Sequence, residues 1–174
     1  CLCPACSFAE QTKRHTQGRH MRLLAAAGEE DWTTPAGLEL PVLPDLGVLS
    51  TRVGEAFVAA EKQLQGPTSR SNWLVPGMVL AGDRTATESD EKVQALLRQG
   101  ITTFVNLQSR GEGQDYRPRV LKLNPSARFL SLPIPDRLTT SDAQVSRFVL
   151  DLASRLLEGE VLYVHCRGGH GRTG

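Results

Sequence analysis

Apolar positions are unevenly distributed along the chain. Up to about residue 70 they keep no sustained period, and Pro35, Pro41, Pro44 and Pro67 interrupt them. One short helix is predicted at Val53 to Leu64, where Val53, Phe57, Ala60 and Leu64 fall on one face. From Asn72 the texture changes. Trp73 to Ala81 is an apolar run broken by Pro76-Gly77, a turn dipeptide, and predicts a strand or strand pair. A helix is expected from about Ser89 to Gln99, with Val93, Leu96 and Leu97 inward and Gly100 as its left-handed stop. Ile101 to Leu107, β-branched and aromatic, predicts a strand.

The alternation then repeats. Arg128 to Ile134 predicts a strand ended by Pro133 and Pro135, neither of which can donate a ladder hydrogen bond. Ser141 and Gln144 form a capping-box pair, and Val145, Phe148, Val149, Leu152 and Leu156 keep helical spacing up to Gly159. The strand Val161 to His165 follows directly. Strands alternating with helices at this spacing predict an α/β fold, a mainly parallel central sheet flanked by helices. Such sheets bind ligands at the carboxyl ends of their strands, and Cys166 stands at one of those ends.

Composition narrows the function classes. Twenty basic against nineteen acidic residues leave a net charge of +1, so no global field points to nucleic acid or a membrane surface, and affinity for an anion has to be built locally. No run approaches the roughly 18 apolar residues of a membrane span. Met21 to Ala27 is too short, and too soon followed by Glu29, Glu30 and Asp31, for a signal-peptide core. Three cysteines crowd the first six positions and the fourth is Cys166, which is not the spread of a disulfide framework. A reducing compartment, cytoplasmic or nuclear, is expected. The chain divides into residues 1–70, a linker or poorly ordered region with a candidate Cys/His module, and residues 71–174, a catalytic domain. Because it begins at Cys1 and ends at Gly174, inside its most informative motif, it reads as a fragment lacking the helix that would follow the motif, so the motif describes the parent protein's activity better than the fragment's own.

That motif is His165-Cys166-Arg167-Gly168-Gly169-His170-Gly171-Arg172-Thr173-Gly174. A Cys and an Arg six positions apart, with three glycines between, describe a loop whose backbone N–H groups can turn inward and cradle a tetrahedral dianion. Arg172 would close the cradle, since a planar guanidinium grips two phosphate oxygens at once. Amide dipoles and Arg172 should lower the pKa of Cys166 and make it a nucleophile without a separate base. Thr173 is placed to hydrogen-bond the sulfur. Charge is stabilised by amides and arginine, so neither a metal nor another cofactor is required.

These residues resemble the signature of the protein tyrosine phosphatase superfamily: His-Cys, five residues, Arg, then Thr or Ser, and Gly. The resemblance covers roughly residues 71 to 174 and is closest to the small dual-specificity-like members. It implies hydrolysis of phosphomonoesters through a cysteinyl phosphate, with phosphotyrosine, phosphoserine or phosphothreonine in proteins as substrates. Phosphoinositide or other non-protein phosphomonoesters are the alternative, and sulfur transfer or arsenate reduction from a similar cysteine loop is a further one. The family supplies its general acid as an Asp about thirty residues before the cysteine. Pro133-Ile-Pro-Asp136 lies there, which makes Asp136 the candidate and Asp142 and Asp115 its rivals. In the family the His before the nucleophile orders the loop by hydrogen bonding, the role implied for His165. Family members acting on phosphoinositides often hold basic residues at the positions of Arg167 and His170, which otherwise point to solvent.

The competing function of another class is a zinc-finger-type binding module. Cys3, Cys6, His15 and His20 have suitable ligand types, but the central spacing is shorter than the roughly twelve residues of a common finger.

Overall fold

Six strands form one sheet in a computed structural model that describes residues 30–31, 43–61 and 63–174. In chain order they are β1 (Glu30–Asp31), β2 (Ser71–Val75), β3 (Val79–Asp83), β4 (Thr103–Asn106), β5 (Arg128–Ser131) and β6 (Leu162–Cys166). Across the sheet the order is β1-β5-β4-β6-β3-β2. Only β2 is antiparallel, joined to β3 by the Pro76-Gly77 turn, where Gly77 takes the left-handed φ of 66° that favours glycine. The other pairings are parallel, as expected of strands separated by helices.

Helices α1 (Leu46–Ala59), α2 (Asp90–Arg98), α3 (Arg117–Leu123) and α4 (Asp142–Leu157) cover both faces. Alternation along the strands divides the core. Phe104, Phe129, Tyr163 and Leu80 face α2 and α3, burying Val93, Leu96 and Val120. Val105, Leu130, Leu162 and Val164 face α4 and α1, burying Phe148 and Leu156. Parallel register brings Asp83 beside Cys166, and Asn106 beside both His165 and Ser131. The loops leaving β3, β4, β5 and β6 therefore emerge at one edge of the sheet, where the site is built.

Several expectations are corrected. The region before residue 71 contributes β1 and α1 to this domain. The helix expected at Val53 to Leu64 runs instead from Leu46 to Ala59, capped by Asp45, whose carboxylate accepts from the Val48 amide. Its inward face is Leu49, Val53 and Ala56, while Phe57 and Leu64 are exposed. Arg52 ties it to the end of α4 by donating to the carbonyls of Leu156 and Leu157. In α4, Phe148, Leu152 and Leu156 pack inward, whereas Val145 and Val149 are exposed. The Ser141 hydroxyl accepts from the Gln144 amide as expected, but the Gln144 side chain takes the hydroxyls of Thr140 and Ser141 rather than a backbone amide. Cys3, Cys6, His15 and His20 lie outside the described residues. Among the described residues no His, Cys, Asp and Glu cluster could hold a metal ion, and no helix is long and apolar enough to cross a membrane.

Candidate active site

Cys166 is the last residue of β6 and is buried. Burial alone would push its thiol up in pKa. The Thr173 hydroxyl and the amides of Gly169, Gly168 and Thr173 favour the thiolate more strongly, so the net displacement is downward. The Gly169 amide is 3.2 Å from the sulfur. Gly169 has φ 75°, and a Cβ there would lie 2.9 Å from the backbone of Gly82 on β3, so the loop can curl this tightly only with glycine at this position. The Thr173 hydroxyl is buried and completes no hydrogen bond among the described residues, so its influence on the sulfur is that of a nearby dipole. A last helical turn, Gly174 N–H to His170 carbonyl at 3.1 Å, closes the loop.

Arg172 reaches back across the cradle, its side chain only 5% exposed. Its two terminal nitrogens donate to the two oxygens of Glu112 at 2.7 and 2.8 Å, and Nη1 also donates to the Ile134 carbonyl at 3.0 Å. The guanidinium holds the Glu112 carboxyl down at about 2, and the carboxylate raises the pKa of Arg172 in return. Glu112 sits between Gly111 (φ 77°) and Gly113 (φ 93°) on the loop after β4. Its carbonyl accepts from the Gln108 amide nitrogen, and its Oε2 from the Ser109 backbone N–H.

Asp136 stands on the loop after β5, with Oδ1 3.5 Å from Nη2 of Arg172. It opens onto the same cavity as Cys166, about 470 Å³ in volume. The turn is closed by the Leu138 N–H donating to the Pro135 carbonyl, and it places Arg137 at φ 60°, a left-handed conformation rare for a residue other than glycine. Arg137, Leu138, Arg167, Gly168, His170 and Gly171 complete the wall, and His170 folds back so that Nδ1 lies 2.6 Å from the Gly168 carbonyl. Trp73, Asp115 and Tyr116 do not line it: Trp73 packs against the core from β2, and Asp115 binds Arg117. Asp142 lies in the first turn of α4.

His165 is fully buried. Its Nδ1 lies 3.4 Å from the Cys166 carbonyl, which only a protonated Nδ1 can serve, so Nε2 accepts the Tyr116 hydroxyl at 2.7 Å. Burial drives its pKa down to about 4, so the ring is neutral at working pH and orders the strand end rather than exchanging protons.

Sequence reasoning assembled Cys166, Arg172 and Asp136, which the fold brings around one cavity, and Thr173, whose hydroxyl is buried and does not line it. It missed Glu112, Ser109, the Ile134 carbonyl, Arg137 and Tyr116. The Gly-Glu-Gly of residues 111–113 after a predicted strand was a signal for Glu112. Nothing local marks a backbone carbonyl as a ligand for an arginine 38 residues away.

A family model described as PTP-SAK, Swiss Army Knife protein, DSP-PTPase phosphatase domain, matches residues 68–174. A protein of Invertebrate iridescent virus 6, 197R, whose name places it among tyrosine phosphatases, is 30% identical over 120 residues, which are 64% of this chain and 44% of the viral protein. The chain thus spans less than half the length of that relative. Among solved structures, P. aeruginosa TpbA is 26% identical with a TM-score of 0.49 over 64% of this chain and 62% of its own. Tk-PTP in its active form is 20% identical with a TM-score of 0.47, covering 64% of this chain and 67% of its own.

Proposed function

Because the chain belongs to the DSP-PTPase phosphatase domain family matched over residues 68–174, we propose that it hydrolyses phosphomonoesters through a phosphate carried on Cys166, with phosphorylated tyrosine, serine or threonine in proteins as substrates. The observation that carries this reading is the Cys166 sulfur, held toward its ionised form by Thr173 and the loop amides and sharing a cavity with Arg172 and Asp136.

In the first step the thiolate attacks phosphorus in line. The bond from phosphorus to the ester oxygen breaks, and Asp136 gives its proton to the departing oxygen. The loop amides and Arg172 hold the three remaining oxygens, where charge is spread in the loose transition state. In the second step water attacks phosphorus and passes a proton to the Asp136 carboxylate. The sulfur–phosphorus bond breaks, the thiolate returns to the Thr173 hydroxyl, and inorganic phosphate leaves.

The test is trapping of radiolabelled phosphate on the full-length protein after an acid quench, followed by mapping of the label. Label on Cys166 supports the reading, and turnover without any label on cysteine sinks it.

A second reading concerns the substrate. Arg137 and Arg167 border the cavity, and neither has a salt-bridge partner among the described residues. Two such cations beside one reacting phosphate favour a substrate with a second anionic group, as in a phosphoinositide. Turnover of phosphopeptides against phosphoinositides, with Arg137→Ala as the comparison, separates the two. A preference for phosphoinositides that this variant abolishes would support the second reading.

A further inference from the structure

Four hydrogen bonds close a ring that joins three loops. The backbone N–H of Ser109 donates to Oε2 of Glu112 at 3.2 Å, and Nη1 of Arg172 donates to the same oxygen at 2.7 Å. Nη1 also donates to the Ile134 carbonyl at 3.0 Å, and the Ser109 hydroxyl donates to that carbonyl at 3.2 Å. Ser109 and Glu112 stand on the loop after β4, Ile134 on the loop after β5, and Arg172 on the loop after β6.

We propose that Ser109 is a positioning residue for the general acid: its hydroxyl latches the Asp136 loop through the Ile134 carbonyl to the guanidinium that grips phosphate. The inference rests on the phosphatase reading above. A carbonyl oxygen has two lone pairs, so it can take both donors at once. Only Pro135 separates Ile134 from Asp136, and its ring fixes φ, so holding the Ile134 carbonyl constrains the approach of the Asp136 side chain. Backbone bonds from Ile134 N–H to the Leu107 carbonyl at 3.2 Å and from Leu138 N–H to the Pro135 carbonyl at 3.1 Å hold the same stretch, but the Asp136 side chain is held weakly. It is 63% exposed, and its 3.5 Å ion pair with Arg172 is longer than a charge-assisted hydrogen bond. Ser109 itself does not line the cavity containing Cys166. Its effect on rate therefore passes through Asp136, while Glu112 continues to fix Arg172.

The experiment measures Ser109→Ala and Ser109→Thr in the full-length protein on phenyl phosphate, which needs a protonated leaving group, and on 2,4-dinitrophenyl phosphate, which does not. Ser109→Ala should lose about tenfold in kcat on phenyl phosphate, the scale of one net hydrogen bond. Its rate on the dinitrophenyl ester and its affinity for vanadate should stay within about twofold of wild type. Ser109→Thr, which keeps a hydroxyl, should restore the rate. In an Asp136→Asn background Ser109→Ala should cost nothing further, because two changes acting through one group are not additive. Equal losses on both esters, a matching loss of vanadate affinity, full additivity with Asp136→Asn, or no loss at all would each overturn the proposal. Wild-type protein inert toward both esters would overturn the phosphatase reading, and this inference with it.

Discussion

Arg172 and Glu112 meet fork to fork, each terminal nitrogen of the guanidinium on its own carboxylate oxygen. Two parallel bonds fix the plane of the guanidinium as well as its position, which a single contact could not do. The cation proposed to grip phosphate is thus oriented by a residue outside the loop that carries it.

Glu112→Gln should therefore weaken phosphate binding without removing the cysteine. One of the two bonds would lose its charged acceptor, a loss of about 1–3 kcal/mol for a hydrogen bond to a charged group. Vanadate affinity and 1/KM should fall by roughly tenfold or more, with the thiol's titration little changed. The sign with pH follows from the depressed carboxyl. Its folded pKa of about 2 lies below the ordinary 4.5, so the clamp contributes fully above pH 4.5 and is lost as pH falls toward 2. Unchanged vanadate affinity in the variant would show that the phosphate loop orients Arg172 unaided.

Cys166→Ser should abolish turnover and leave vanadate binding, because a serine hydroxyl does not ionise near neutral pH. EDTA should not lower the activity of the wild type, since no step uses a metal. Activity of the serine variant within tenfold of wild type, or wild-type activity lost to EDTA and restored by a divalent cation, would point to other chemistry.

The order of strands and helices from residue 71 onward was legible because each helix carries its own punctuation: Ser89 and Gly100 around α2, Ser141 and Gly159 around α4. The short α3 was not. Its Arg117-Pro118-Arg119 start is charged, and only Val120 within it is fully buried, too little to set up a period. In α1 the late placement came from counting Phe57 and Leu64 as inward, although tertiary packing selects Leu49, Val53 and Ala56. Val145 and Val149 fit the helical period of α4 without being buried, because period reports which positions share a face and not how far a neighbour covers it. In the site, residues adjacent in sequence to Cys166 were readable from the motif. Glu112 and Ser109 were not, because their role exists only once β4, β5 and β6 lie side by side.

The buried imidazole makes stability depend on mild acid. His165 has a folded pKa of about 4 against an ordinary 6.5, so between those values the unfolded chain takes up a proton that the folded protein refuses. Its contribution is complete above pH 6.5 and declines as pH falls toward 4, by an amount on the order of 3 kcal/mol. His165→Gln, which does not titrate, should show a flatter stability curve over that window than the wild type in urea unfolding at several pH values. Parallel curves would mean that His165 titrates normally and that its burial is relieved by motion.

Asp136 carries the most demanding expectation, because two groups have to hold opposite protonation states at once. Cys166 must be ionised to attack, and its lowered pKa extends that state toward acid. Asp136 must keep its proton to release the leaving group. Rate against pH should be bell-shaped, rising as thiol and substrate ionise and falling as the acid loses its proton. In Asp136→Asn the maximal rate on an ester with a poor leaving group should drop by roughly 10²–10⁴, and the falling limb should flatten. With an activated aryl phosphate, whose oxygen leaves without a proton, the loss should be much smaller. Vanadate should still bind, because Arg172 keeps both bonds to Glu112 and the loop amides are untouched. An unchanged falling limb together with unchanged leaving-group dependence would remove Asp136 from the reaction. Asp115, bound to Arg117, and Asp142, in the first turn of α4, would then have to reach a cavity that neither of them lines.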